Sequence, residues 1–309
     1  MNKPRVIIAG GSGFIGSALA ADWLAQGGEV VVLTRKPQQR NDGVIEAEWD
    51  GFHLGEWIKY LDGAEAVVGL AGKNINCRHT SAAIRELTES RANAIQAIAP
   101  GIGHVKKPPR VWVQASAIGF YGNRGDEILD ERSSNGTGTL AEICRQWEDA
   151  FNSAVVPKTR KVLLRIGVVL DKDGGALRVL ARLTRSFLGG RAGDGKQFVS
   201  WIHLKDLTRM FWESVQREDM AGTFNAVAPR PVTNDELMRQ LRRTLRRPWS
   251  PPAPALALKI GARLMGTEPS LALDGCRVSP KRFQEAGFKF RYPEIETALA
   301  DIFSRRKEE

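Results

Sequence analysis

A doubly wound α/β fold is predicted by three observations. A short apolar run, Val6-Ile7-Ile8-Ala9, leads into the glycine run Gly10-Gly11-Ser12-Gly13-Phe14-Ile15-Gly16. A helix-length stretch to about Ala25 is followed by a second apolar run, Val30-Val31-Val32-Leu33, that closes on Thr34-Arg35. Strand and helix segments then keep alternating to about residue 166. Continuous apolar strands between helices are the pattern of a parallel sheet covered on both faces.

The first strand, glycine run, helix and second strand form a βαβ unit suited to a dinucleotide pyrophosphate. A phosphate reaches backbone N–H groups at a helix N-terminus only where no Cβ intervenes, and Gly10, Gly13 and Gly16 meet that need. The end of the second strand selects the cofactor. An acidic side chain about 20 residues beyond the glycines would bind the ribose 2′-OH of NAD, whereas arginine there pairs with the 2′-phosphate of NADP. Here Thr34, Arg35 and Lys36 stand at that place and no acid occurs before Asp42, so NADP(H) is favoured.

Residues 44–49 read as the next strand, 54–61 as a helix, and 66–70 as a strand ending in Ala71-Gly72. A long helix is expected from Thr80 to Ile98, because Ile84, Leu87, Ala94, Ile95 and Ile98 share one face and Pro100 stands beyond them. Val111 to Ala115 reads as the fifth strand, 140–150 as a helix, and Val162 to Ile166 as the sixth strand. From Gly174 onward glycines and prolines break the chain into shorter pieces. The expected division is a cofactor domain over 1–173 and mainly a substrate lobe over 174–309, with strands at 199–203 and 223–226 returning to the main sheet.

At 309 residues and 42% hydrophobic composition the chain can bury a sizeable core. No apolar run reaches the ~18 residues of a membrane span, no signal peptide is read at the start, and a cytoplasmic location is expected. Cys77, Cys144 and Cys276 suit reduced thiols, and neither they nor the four histidines have metal-ligand spacing. The formal charge of +10 gathers in Arg178-Arg182-Arg185 and in Arg239-Arg242-Arg243-Arg246-Arg247. Both read as solvated helix faces, with Leu177, Leu180 and Phe187 or Leu237, Met238, Leu241 and Leu245 turned inward. No nucleic-acid motif accompanies them, so the expected partner is a small-molecule substrate, with no nucleic acid and no membrane. A homodimer stays open.

Further segments carry a resemblance to a known family. These are Leu70-Ala71-Gly72-Lys73-Asn74-Ile75, Ser90-Arg91, the stretch from Ala115-Ser116 to Tyr121-Gly122, Cys144-Arg145-Gln146-Trp147-Glu148, Ser200-Trp201-Ile202-His203, Asn225 to Pro229 and Pro280-Lys281-Arg282. With the glycine run they resemble an atypical extended short-chain dehydrogenase/reductase, of the epimerase-family branch of the YfcH type. The resemblance implies a Rossmann domain with a small C-terminal substrate lobe and NADP(H) as cofactor. It places the cofactor against Gly10, Gly13, Phe14, Ile15 and Gly16, against Thr34 and Arg35 at the 2′-phosphate, against Leu70, Ala71, Gly72 and Ala115 at strand ends, and against Glu86 and Arg91 on the long helix. Arg91 also falls on that helix's apolar stripe, where an anionic partner is expected.

The wider superfamily moves a proton through a Tyr-x-x-x-Lys pair. By the resemblance those places fall on Leu140 and Cys144, which carry no such function. Ser116 and Tyr121 remain as candidate catalytic residues at the end of the fifth strand, where open α/β sheets bind substrates. His203 is a candidate acid or base, or a structural histidine paired with Asp206 or backbone. Arg165 could meet an anionic substrate or a nearby carboxylate. Two readings stand: an NADP(H)-dependent oxidoreductase or epimerase with an atypical proton donor, and a non-catalytic NADP(H)-binding sensor acting through a protein partner.

Overall fold

The computed structural model describes residues 3–304. Seven strands form one sheet: β1 (Arg5–Ala9), β2 (Glu29–Thr34), β3 (Ile45–Glu48), β4 (Ala66–Gly69), β5 (Val111–Ala117), β6 (Arg160–Ile166) and β7 (Gly222–Ala226). Their order is β7-β6-β5-β4-β1-β2-β3 and every pairing is parallel. Central strands rich in β-branched residues are buried on both faces, as Val30, Val31 and Val32 are. The order reverses between β1 and β4, so the crevice over their carboxyl ends is where such a sheet accepts a ligand.

Helices α1 (Phe14–Ala25) and α5 (Leu204–Gln216) pack together, with Trp23 and Trp212 ring centroids 4.6 Å apart. Helices α2 (Ser81–His104) and α3 (Thr139–Ser153) also pack together, and Phe151 of α3 meets Trp112 of β5 edge-on at 4.9 Å. Beyond β6 come α4 (Gly175–Arg185), α6 (Asn234–Thr244) and α7 (Ala255–Met265).

Four expectations are corrected. The long helix runs through Pro100 to His104, because Gly101 of its last turn lies against Trp57 and Leu61 and Ile102 is buried, while Pro100 itself is exposed. The stretch expected as a helix at 54–61 is a 3₁₀ turn, Glu56–Leu61. Thr223 to Ala226 joins the main sheet as part of β7, but 199–203 does not: Trp201–His203 pairs with Val168–Leu170, and Phe198–Val199 with Val232–Thr233. The chain leaves the sheet at Gly167, where a Cβ would stand 2.6 Å from the Ser200 carbonyl oxygen. Finally, Leu177 is buried as expected, but Phe187 lies beyond the end of α4 and outside the core.

Candidate functional site

The glycines after β1 divide their work. Gly10 has φ 85, and a Cβ on it would lie 2.9 Å from the Ala71 nitrogen. A Cβ on Gly16 would lie 2.6 Å from the Gly10 carbonyl oxygen and from the Gly11 Cα. These two glycines bring the turn, α1 and the end of β4 into contact. Gly13 differs, since the nearest atom to a Cβ there is 3.3 Å away and it is the N-cap of α1 in extended backbone with no side-chain cap. It leaves the free N–H groups at the start of a twelve-residue helix open to an anion. Phe14 turns away to fill the space left by Gly174 and Gly175 at the start of α4.

At the end of β2, Arg35 is exposed and has no carboxylate partner among the described residues. The first acids downstream are engaged elsewhere: Arg40 bonds Asp42 at 3.0 Å through Nε and Glu46 at 3.2 Å through Nη1. Leu70 and Ala71 follow β4 beside the glycine turn, and Gly72 allows the Arg91 side chain to lie against it. Arg91 is buried on α2; its guanidinium donates to the Leu87 carbonyl at 2.8 Å and lies 4.9 Å over the Trp147 ring. Without an acid to hold it, burial pulls its pKa below the usual arginine value. Glu86 is exposed on the same helix and pairs with Lys73.

Ala115 and Ser116 lie near the carboxyl end of β5, both buried. Ser116 Oγ donates to Glu148 Oε1 at 2.7 Å. The same carboxylate takes two bonds from Arg165, Nε to Oε1 at 2.9 Å and Nη2 to Oε2 at 2.7 Å. Arg165 Nη1 then donates to Tyr121 Oη at 2.9 Å, and that hydroxyl donates to Asn225 Oδ1 at 2.7 Å, with the Asp130 carbonyl as a second acceptor at 3.0 Å. Tyr121 has no exposed surface, and burial pushes its pKa up to about 12. Ser116 and Tyr121, the two candidate catalytic residues, are thus joined in one buried polar network with Glu148, Arg165 and Asn225. Glu148 and Arg165 are its centre; an arginine in the apolar strand Val162-Leu163-Leu164-Arg165-Ile166 was the sequence signal for it.

At the places where the resemblance puts the superfamily's Tyr and Lys stand Leu140 and Cys144, the latter buried within reach of the charges of Glu148, Arg91 and Arg165. A Cβ on Gly119 would touch Cys144 Sγ and Leu140 Cβ, each at 3.5 Å, and burial pushes the Cys144 thiol up to about 12, which disfavours the thiolate. His203 is structural in its contacts. Its Nδ1 accepts from the Lys205 backbone N–H at 3.1 Å, its ring stacks on Tyr292 at 3.9 Å, and its charged contact is Asp301 at 3.3 Å rather than Asp206. Asp206 instead accepts the backbone N–H groups of Arg291 and Tyr292. Among the described residues no cluster of metal-ligating side chains occurs, and no helix is long and apolar enough to cross a membrane.

A seven-stranded parallel sheet in this order, with a glycine turn opening the first helix, defines a protein of the Rossmann-type α/β class. The chain belongs to the NAD dependent epimerase/dehydratase family, whose sequence model matches residues 6–226; a domain of unknown function, DUF1731, matches 253–302. An epimerase family protein of Arabidopsis thaliana, the chloroplastic SDR39U1 homolog, is 35% identical over 97% of this chain and 87% of its own length. One from Mycobacterium bovis is 35% identical over 99% of each. The crystal structure of human epimerase family protein SDR39U1 (isoform 2) with NADPH superimposes with a TM-score of 0.88 at 31% identity, covering 98% of this chain and 100% of that one.

Proposed function

We propose that this chain binds NADP(H) across the crevice above β1 and β4 and uses it as an oxidoreductase or epimerase on a small polar substrate, without a Tyr–Lys pair. The observation that carries the cofactor reading is the open N-terminus of α1 at Gly13 together with an unpartnered Arg35 at the next strand's end. In this reading the pyrophosphate rests on the N–H groups of 13–16, the 2′-phosphate on Thr34 and Arg35, and Leu70, Ala71, Gly72 and Ala115 flank the remainder. Arg91, a buried cation without an acid, is poised for an anionic group of cofactor or substrate. Bound NADP(H) supplies or accepts the hydride. Ser116 and Tyr121 act in this reading by holding the floor of the crevice through Glu148 and Arg165. The human relative crystallised with NADPH supports the cofactor assignment.

A second reading, a cofactor-binding regulator that turns nothing over, is favoured by one observation: no side chain with a proton to exchange near neutral pH stands at Leu140, Cys144 or Tyr121. Calorimetric titration with NADPH and NADH tests the cofactor. Arg35→Asp should weaken NADPH by about tenfold or more, from the loss of roughly 1.5–3 kcal/mol, and leave NADH nearly unchanged. Equal loss for both cofactors, or no heat with either, overturns the assignment. Substrate-dependent change in nicotinamide absorbance then separates the enzyme from the regulator.

A further inference from the structure

Two residues other than glycine have positive φ among the described residues, Phe187 at 59 and Arg246 at 56. Both occupy the same position in the same motif. Leu188 N–H returns to the Leu183 carbonyl at 2.8 Å beyond α4, and Arg247 N–H returns to the Arg242 carbonyl at 2.8 Å beyond α6. Each helix thus ends in a turn whose left-handed residue is ordinarily glycine. The two turns are neighbours: Arg247 Nε donates to the Arg185 carbonyl at 3.2 Å, its guanidinium lies 5.1 Å over the Phe187 ring, and Arg242 donates to the Gly189 carbonyl at 2.9 Å.

Among the described residues Phe187 keeps half of its surface in solvent with the Arg247 guanidinium on its ring, and Arg246 is exposed. Phe187 is 51% exposed and Trp249 67% exposed, with Leu183 and Leu188 exposed beside Phe187. Arg242 and Arg247 bind the carbonyls just named, whereas Arg182, Arg243 and Arg246 have no acidic partner among the described residues. A helix end that only needed closing would be more stable with glycine.

We propose that the paired ends of α4 and α6 form a docking surface for an acidic protein segment that carries apolar side chains. Aromatic residues and arginines held in fixed geometry are the make-up of an interface hot spot. The unpaired arginines set the sign of the partner, and the like charge of the patch disfavours a second copy of this chain. Fixed backbone geometry gives an advantage against a shaped protein partner and none against a fluid lipid surface. The inference is independent of what the crevice binds.

The probe is a phage-displayed library of short random peptides, selected on the full chain, with enriched peptides resynthesised for fluorescence anisotropy. Enriched sequences should combine Asp or Glu with apolar residues, and affinity should fall with added salt. Phe187→Gly and Trp249→Ala should each weaken binding by about tenfold or more. Phe187→Gly should not lower the thermal midpoint. A lowered midpoint would make Phe187 a folding residue and overturn the inference, as would peptides that bind both variants as well as the parent, or selection without acidic enrichment. Sedimentation with vesicles of phosphatidylcholine and phosphatidylserine, dependent on Phe187 and Trp249 where peptides show no dependence, would give the surface to lipid and overturn it too.

Discussion

Arg165 and Glu148 meet in a two-pronged ion pair, with Nε and Nη2 on the two carboxylate oxygens and both side chains withdrawn from solvent. Breaking one side leaves a buried charge uncompensated, which costs about 3–5 kcal/mol. Glu148→Gln should therefore lose about that much in denaturant unfolding. The double variant Glu148→Gln/Arg165→Met should lose clearly less than the sum of the single changes. Additive losses would mean that the two side chains do not act as a pair.

Gly13 and Gly16 are expected to fail in different ways when replaced by alanine. A methyl at Gly16 meets backbone that cannot move aside, so Gly16→Ala should cost about 1–3 kcal/mol of stability. Gly13→Ala makes a tight approach of 3.3 Å to the Gly10 carbonyl oxygen, against the 2.6 Å clash at Gly16, and should cost less, about 1 kcal/mol. It should nevertheless reduce NADPH affinity by calorimetry, because the added methyl stands where the pyrophosphate approaches. Full affinity in Gly13→Ala would remove the phosphate from this turn.

Arg91→Met tests the buried guanidinium. Its charge is disfavoured by burial, and among the described residues its guanidinium meets the Leu87 carbonyl and the Trp147 ring but no carboxylate. Stability without cofactor should fall by no more than about 1 kcal/mol, since an uncompensated buried charge is removed together with its contacts. Stabilisation of the protein by saturating NADPH, read as a shift in thermal midpoint, should shrink. A large loss of stability without cofactor would make Arg91 a structural residue.

His203 should make the protein sensitive to mild acid. Burial lowers its pKa from 6.5 to about 4, so between those pH values the unfolded chain binds the extra proton and the folded chain does not. Stability then rises with pH through this window, and its contribution is lost as pH falls from 6.5 towards 4, by about 3 kcal/mol at most. Urea unfolding across this range should show the slope, and His203→Asn, which keeps an acceptor for the Lys205 N–H, should flatten it. An unchanged slope in the variant would assign the effect to other groups.

The order of strands and helices, the glycine turn and the basic end of β2 were legible in the chain because each depends on neighbours within about ten residues, where periodicity and backbone freedom act. Two local readings yielded to packing. The helix continues past Pro100 because Gly101 packs against Trp57 and Leu61, and 199–203 leaves the main sheet where the chain departs at Gly167. Ser116 and Tyr121 were found as residues, but not their surroundings. What their hydroxyls do was decided by Glu148 of α3, Arg165 of β6 and Asn225 of β7, which only the tertiary fold brings together. The exposure of Phe187 was decided in the same way: a one-dimensional pattern assigns an apolar residue to a core, but only the left-handed turn after α4 fixes where its ring points.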